Sequence, residues 1–146
     1  MKIVIPLNND LNFYHDNPIT APRFAIYIID IKKSYVRTSL ENIIDNPWNS
    51  TNNGKYQASQ IQCACDQDTC SDLAHISEHY FLLDSIGGCD YLLADHYCQN
   101  MHRALVNGGI TIYKIPPFIH KSDYAIKNFL LGASLANTIQ NIHHAS

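Results

Sequence analysis

The sequence has 146 residues, 46% of them hydrophobic, and its 10 basic against 13 acidic side chains leave a formal charge of −3. A chain of this length is expected to form one domain, residues 1–146, burying roughly 70% of its unfolded surface without help from disulfides or a structural metal. The mild acidity, with no block of Lys or Arg, supplies no phosphate-neutralising surface and argues against a nucleic-acid partner.

The opening apolar run, Met1 to Leu7, is too short for a signal peptide and is broken by Asn8, Asn9 and Asp10; no later stretch approaches the roughly 20 apolar residues of a membrane span. A cytoplasmic protein with no membrane contact is expected. In a reducing compartment its five cysteines serve metals, redox chemistry or the core sooner than disulfides.

Lys2 to Leu7 reads as a short buried strand, followed by a polar, turn-rich loop from Asn8 to Thr20. Phe24 to Ile29 and Tyr35 to Leu40 are β-rich runs joined by Asp30-Ile31-Lys32-Lys33, the pattern of an antiparallel hairpin. From Asp45 to Cys70 periodicity vanishes, and a loop of that length inside a domain is usually functional or disordered. Ser71 is a good N-cap for a helix with Leu73, Ile76, Tyr80, Leu83 and Ile86 at helical spacing, stopped by Gly87 and Gly88. Tyr91 to Ala94 is a short buried strand. A helix carrying Met101, Ala104, Leu105 and Val106 follows, closed by Asn107-Gly108-Gly109, and Ile110 to Ile115 is another strand, ended by Pro116 and Pro117. Ser122 can cap a last helix whose buried face carries Ile126, Phe129, Leu130 and Ala133, with His143 and His144 in a fraying tail.

The order βββαβαβα, with helices alternating with short apolar strands in its second half, predicts parallel crossovers that extend the sheet begun by the first strand into a three-layer α/β domain. With strands one, three, four and five parallel and strand two opposed, the loops after Leu7, after the third strand, after Ala94 and after Ile115 emerge at one edge, where open α/β sheets bind ligands. That edge would gather His15, the 45–70 loop, His96, Cys98 and His120. Cys89 precedes its strand and belongs to the opposite edge, roughly 13 Å away at about 3.3 Å per residue, as a small buried hydrophobe.

Met1 to Pro6, Ala21-Pro22-Arg23-Phe24-Ala25-Ile26-Tyr27, Glu41-Asn42 or Asn46-Pro47, Gly88 to Ala94, and Ala104-Leu105 through Gly109 to Tyr113 resemble, in order and spacing, the nitrogenase iron-molybdenum cofactor-biosynthesis family, whose members are NifX-like. The resemblance implies a ribonuclease H-like fold with a mixed five-stranded sheet, and binding or carriage of iron-sulfur or molybdenum-containing clusters. The chain departs from the family pattern in three places. Asn17-Pro18-Ile19 and a displaced His15 stand where the family often has His-Phe-Gly. Asp95 to Asn100 replaces a glycine-rich turn, and Cys63-Ala64-Cys65-Asp66-Gln67-Asp68-Thr69-Cys70 is an addition.

That addition is the sharpest chemical signal in the chain. Three thiols within eight residues on a polar loop can converge on one ion or cluster, because thiolates favour iron-sulfur centres, zinc or copper(I), and Cys98 from the neighbouring loop could make a fourth. The C-x-C-x4-C spacing matches neither zinc-ribbon pairs nor the common ferredoxin runs, and free or redox-active surface thiols are the alternative. His96 is a candidate ligand beside Cys98. His75 and His79, four apart, share a helix face, and with His15 and His120 their participation is left open; His102 reads as a surface residue. Trp48 and Tyr56 read as anchors for the long loop.

Catalysis is not expected. The first strand lacks the carboxylate that two-metal nucleases place there, and a Cys98–His96 nucleophile has no evident oxyanion hole or orienting partner. The resulting expectation is a non-catalytic carrier of an iron-sulfur or molybdenum-iron-sulfur cluster, with ligands Cys63, Cys65, Cys70 and Cys98 and a role for His96. A cluster donor or recipient protein is its natural partner, and an oligomer is compatible. A zinc-stabilised interaction module or a thiol redox sensor is the alternative.

Overall fold

Strand β1 (Lys2–Leu7) is buried from Ile3 onward because both its faces are covered. In the computed structural model, which describes residues 1–47 and 73–145 and their side chains other than those of 74, 75 and 135–145, β1 is the middle strand of a mixed five-stranded sheet. The remaining elements are β2 (Arg23–Ile31), β3 (Val36–Asp45), α1 (Leu73–Phe81), α2 (Leu83–Ile86), β4 (Tyr91–Ala94), α3 (Gln99–Asn107), β5 (Thr111–Lys114) and α4 (Ser122–Ala145). The strand order is β3-β2-β1-β4-β5, with β2 antiparallel to both β1 and β3, and β4 parallel to both β1 and β5.

Side-chain alternation along the strands sorts the core into two layers. Val4, Phe24, Ile26, Leu92 and Ala94 face Leu82 and Ile86 at α2 and Met101, Ala104 and Leu105 of α3. Ile3, Ile5, Leu7, Ala25, Ile29 and Leu93 face Ala125, Ile126 and Phe129 of α4. Helices therefore lie on both sides of the sheet, and each large aliphatic or aromatic side chain sealed between layers contributes about 1.5–3 kcal/mol. The turns that feed β4 and β5 pass through Gly88 (φ 87°) and Gly109 (φ 77°), a backbone region that glycine enters without steric cost.

β3 is longer than the alternation in Tyr35 to Leu40 suggests. It continues through Glu41-Asn42-Ile43-Ile44-Asp45, pairing with β2 as far as Arg23↔Asp45, with a register shift at Ile26/Tyr27 that changes which residues face each side. Being an edge strand, it tolerates polar residues on both faces, which removes the alternating signal. The 45–70 loop assignment is corrected at its start: Asp45 is strand. Cys63, Cys65, Cys70, Ser71, Trp48 and Tyr56 lie outside the described residues.

The helix expected from Ser71 to Ile86 is two helices, broken at Leu82. Its buried face is also rotated from the expected stripe. Leu73 is 78% exposed and Tyr80 36%, whereas Ile86 is sealed as expected and is joined in the interior by His79 and Leu82. At the other end of the chain, α4 runs through His143 and His144 to Ala145, where a fraying tail was expected. No helix among the described residues is long and apolar enough to cross a membrane.

Candidate functional site

Register and direction bring the ends of all five strands into two sets. Leu7 pairs with Arg23 and Arg23 with Asp45, so the end of β1, the start of β2 and the end of β3 share one edge; the parallel strands β4 and β5 finish there too, at Ala94 and Lys114. Residues 8–22, 46–47, 95–98 and 115–121 follow or precede those strand ends.

The loop after β1 doubles back over the strand it leaves. Phe13 pairs with Leu7, the Tyr14 amide donates to the Pro6 carbonyl at 2.9 Å, and the Phe13 amide donates to the His120 carbonyl at 2.8 Å. Buried Asn46, just past β3, ties down the far end of this loop by donating from Nδ2 to the carbonyls of Ile19 (2.9 Å) and Ala21 (2.8 Å). His15 is thereby held over the end of β4, where its Nδ1 lies 3.0 Å from Oδ2 of Asp95, the residue immediately after the strand. Asp95 is only 5% exposed. A carboxylate in this position accepts from Nδ1 and fixes the orientation of the ring, turning Nε2 the other way. That Nε2 is buried and has no hydrogen-bond partner among the described residues. Phe13 and His120 meet the His15 ring edge-on, with centroids at 5.0 and 5.2 Å.

Cys98 occupies the N-cap of α3, and its sulfur accepts the Met101 amide at 3.3 Å. A short side chain with a hydrogen-bond acceptor is what an N-cap requires, and the positive end of the helix favours negative charge on that sulfur. On its other side, Sγ lies 3.1 Å from Nε2 of His79, delivered by α1, which packs on α3. His79 is fully buried. His15, Asp16, Asn17, His96, Tyr97 and Cys98 together line a cleft of about 580 Å³ at the strand-end edge.

The expected gathering is thus met in part. His15, His96 and Cys98 share the cleft and His120 abuts His15, whereas Cys63, Cys65 and Cys70 fall outside the described residues. Among the described residues no three His, Cys, Asp or Glu side chains converge to hold a metal ion by themselves; the donors come as two pairs, His15–Asp95 and His79–Cys98. Asp95 did not stand out in the sequence as a site residue, although an acidic residue directly after a short apolar strand is a recognisable signal. For His79 the signal was its place three and seven residues before Leu82 and Ile86. Cys89 is buried, 6% exposed, before β4 and away from the cleft, and burial pushes its thiol above its ordinary range. His102 stacks on Tyr97 at the surface, 5.9 Å between centroids.

The fold and cleft define an α/β domain with a donor-bearing pocket at the carboxyl ends of its parallel strands. No family model and no curated protein matches the chain. Among solved structures it is similar in fold to the crystal structure of the protein PH0822, with a TM-score of 0.52 and 14% identity over 90% of this chain and 92% of that one. It is also similar to a Thermotoga protein, TM1290, provisionally described as a NifB protein of the DUF35 family, with a TM-score of 0.50 and 18% identity over 90% and 88% of the two chains. At these identities the likeness is one of fold.

Proposed function

We propose that the chain binds an iron-sulfur or molybdenum-iron-sulfur cluster, or its precursor, in the cleft at the strand-end edge, and that it carries the cluster without catalysing a reaction. The observation that carries this reading is the convergence of His15, His96 and Cys98 on one cleft, next to the point where the chain leaves β3 toward its cysteine-rich segment. Cys63, Cys65, Cys70 and Cys98 are the proposed ligands, with His96 in support. Soft thiolates hold such clusters, and imidazole can replace a thiolate on iron. The sequence resemblance to the nitrogenase cofactor-biosynthesis family and the fold likeness to TM1290 support the same reading. In it the sheet, ordered β3-β2-β1-β4-β5, is of the ribonuclease H-like type, and a cluster donor or recipient protein in the cytoplasm is the partner.

Anaerobic reconstitution of the Cys63→Ala/Cys65→Ala double variant tests the ligand set. Loss of cluster uptake with an unchanged melting temperature is expected, and loading equal to the parent chain contradicts it. The His79–Cys98 contact favours a second reading, a zinc-stabilised interaction module or a thiol sensor, since one imidazole and one thiolate suit zinc as well as iron. Stoichiometric zinc without acid-labile sulfide supports that second reading.

A further inference from the structure

Of the two donor pairs at this edge, one joins an imidazole to a thiol. His79 Nε2 lies 3.1 Å from Cys98 Sγ, close enough for the two to share a hydrogen. The sulfur also accepts the Met101 amide, and the fully buried ring presents Nε2 toward it, so the two donor atoms share one short axis. A metal ion that needs both a thiolate and a neutral imidazole takes the place of that proton and releases it to solvent. Metal–sulfur and metal–nitrogen bonds of about 2.3 and 2.05 Å at a tetrahedral angle set the two donor atoms about 3.6 Å apart. The observed pair falls roughly 0.5 Å short of that separation, within the reach of a small side-chain adjustment. Both donors sit on packed helices, α1 and α3, so little ordering remains to be done when an ion arrives.

We propose that His79 and Cys98 form a preset imidazole–thiolate pair that supplies two ligands to a borderline-soft divalent ion of the zinc or iron class at the edge of the cleft. The pair rests on the preceding reading in placing a metal at this edge, but it stands on described residues alone. Cys98 lines the cleft and is partly exposed, so its sulfur is reachable by an ion from solvent.

The test is anaerobic titration of the reduced, full-length, metal-free chain with cobalt(II), read by absorption and by proton NMR. One cobalt per chain is expected, with a thiolate-to-cobalt charge-transfer band and a hyperfine-shifted, exchangeable imidazole N–H. In a full-length Cys63→Ala/Cys65→Ala/Cys70→Ala background, which lacks the other proposed thiolates, Cys98→Ser, which keeps a helix cap, removes the band. His79→Gln removes the shifted N–H and weakens binding by more than the roughly 10–100-fold that loss of an outer-shell partner costs. His79→Cys restores binding with a stronger charge-transfer band, an outcome that a purely structural histidine does not produce. Unchanged cobalt affinity in His79→Gln, or a parent spectrum without an imidazole signal, overturns the proposal. A chain that assembles an iron-sulfur cluster but is indifferent to His79 replacement overturns it while leaving the cluster reading intact. Cobalt held by His79 and Cys98 in a chain that never assembles a cluster supports the pair and counts against that reading.

Discussion

His15 and Asp95, 80 residues apart in sequence, meet through a 3.0 Å contact between Nδ1 and a carboxylate oxygen at the end of β4. Asp95 is nearly sealed from solvent, so the imidazole is what makes its burial tolerable. Replacing His15 by Ala strands the carboxylate, and a loss of about 1–3 kcal/mol in urea denaturation is expected, the cost of an unsatisfied buried polar group. Asp95→Asn with His15 retained keeps a hydrogen-bonding partner in place and is expected to cost less. If His15→Ala is as stable as the parent, the pair is not what holds this loop over the strand.

Asn46 performs a related task from the other side of the loop. Its amide holds the carbonyls of Ile19 and Ala21, and its backbone amide donates to Pro22 at 3.0 Å. Asn46→Ala orphans two buried carbonyls and is expected to destabilise the chain by about 1–3 kcal/mol. Because the same contacts anchor residues 15–22, loosened His15 geometry should accompany the loss. Faster amide hydrogen exchange across residues 13–21, with β4 and β5 unchanged, is the expected readout; uniform exchange throughout contradicts the assignment.

Close packing of α4 on β5 gives a third expectation. A Cβ on Gly132 would overlap the hydroxyl of Tyr113. In an open helix position Gly→Ala gains up to about 1 kcal/mol, so Gly132→Ala reports which effect wins. Overpacking, worth about 1–3 kcal/mol, is expected to dominate. Adding Tyr113→Phe removes the nearest atom but leaves ring carbon Cζ at 2.8 Å, so a partial recovery of melting temperature is expected. No destabilisation in the single variant would mean that Tyr113 moves aside freely.

Three acidic side chains share one direction of shift. Burial raises the Cys89 thiol above 9.0; nearby Lys2 opposes the shift, and Asp90 and Glu41 add to it. Burial likewise raises the phenols of Tyr14 and Tyr27 above 10.0, with Asp16 and Asp123 adding, and hydrogen bonds to Thr20 and Ser122 opposing. Groups whose protons are held more tightly in the fold contribute fully below their ordinary values, and that contribution is lost as pH rises through the raised ones. Stability is expected to decline from pH 9.0 upward, first through Cys89 and then through the tyrosines. Cys89→Ala should flatten the first part of that decline in denaturation curves; a parent chain equally stable on both sides of the range contradicts the assignment.

The sheet was legible because its strands are short apolar runs between strong breakers. Lys2 to Leu7 and Tyr91 to Ala94 fall where the sequence puts them, and Gly88 and Gly109 mark the turns that feed β4 and β5. β3 was underestimated because an exposed edge strand needs no alternation, so Glu41 to Asp45 carries no periodic signal. The α1–α2 face was misread for a different reason. Leu73 and Tyr80 fit a helical stripe, but α1 ends at Phe81, and the face set by Leu82 and Ile86 inside the core carries His79 inward with it. Topology alone brought His15, His96 and Cys98 to one edge in the sequence reading. The pairings His15–Asp95 and His79–Cys98 were not legible, since each joins residues on separate elements whose mutual rotation only packing decides.

The most direct measurement of the central claim is iron and acid-labile sulfide content, with a visible spectrum, on the full-length chain purified without oxygen and again after reconstitution with iron and sulfide. The account predicts iron and sulfide bound together with thiolate-to-iron absorption. A chain that takes up neither, or that holds zinc alone without sulfide, contradicts it.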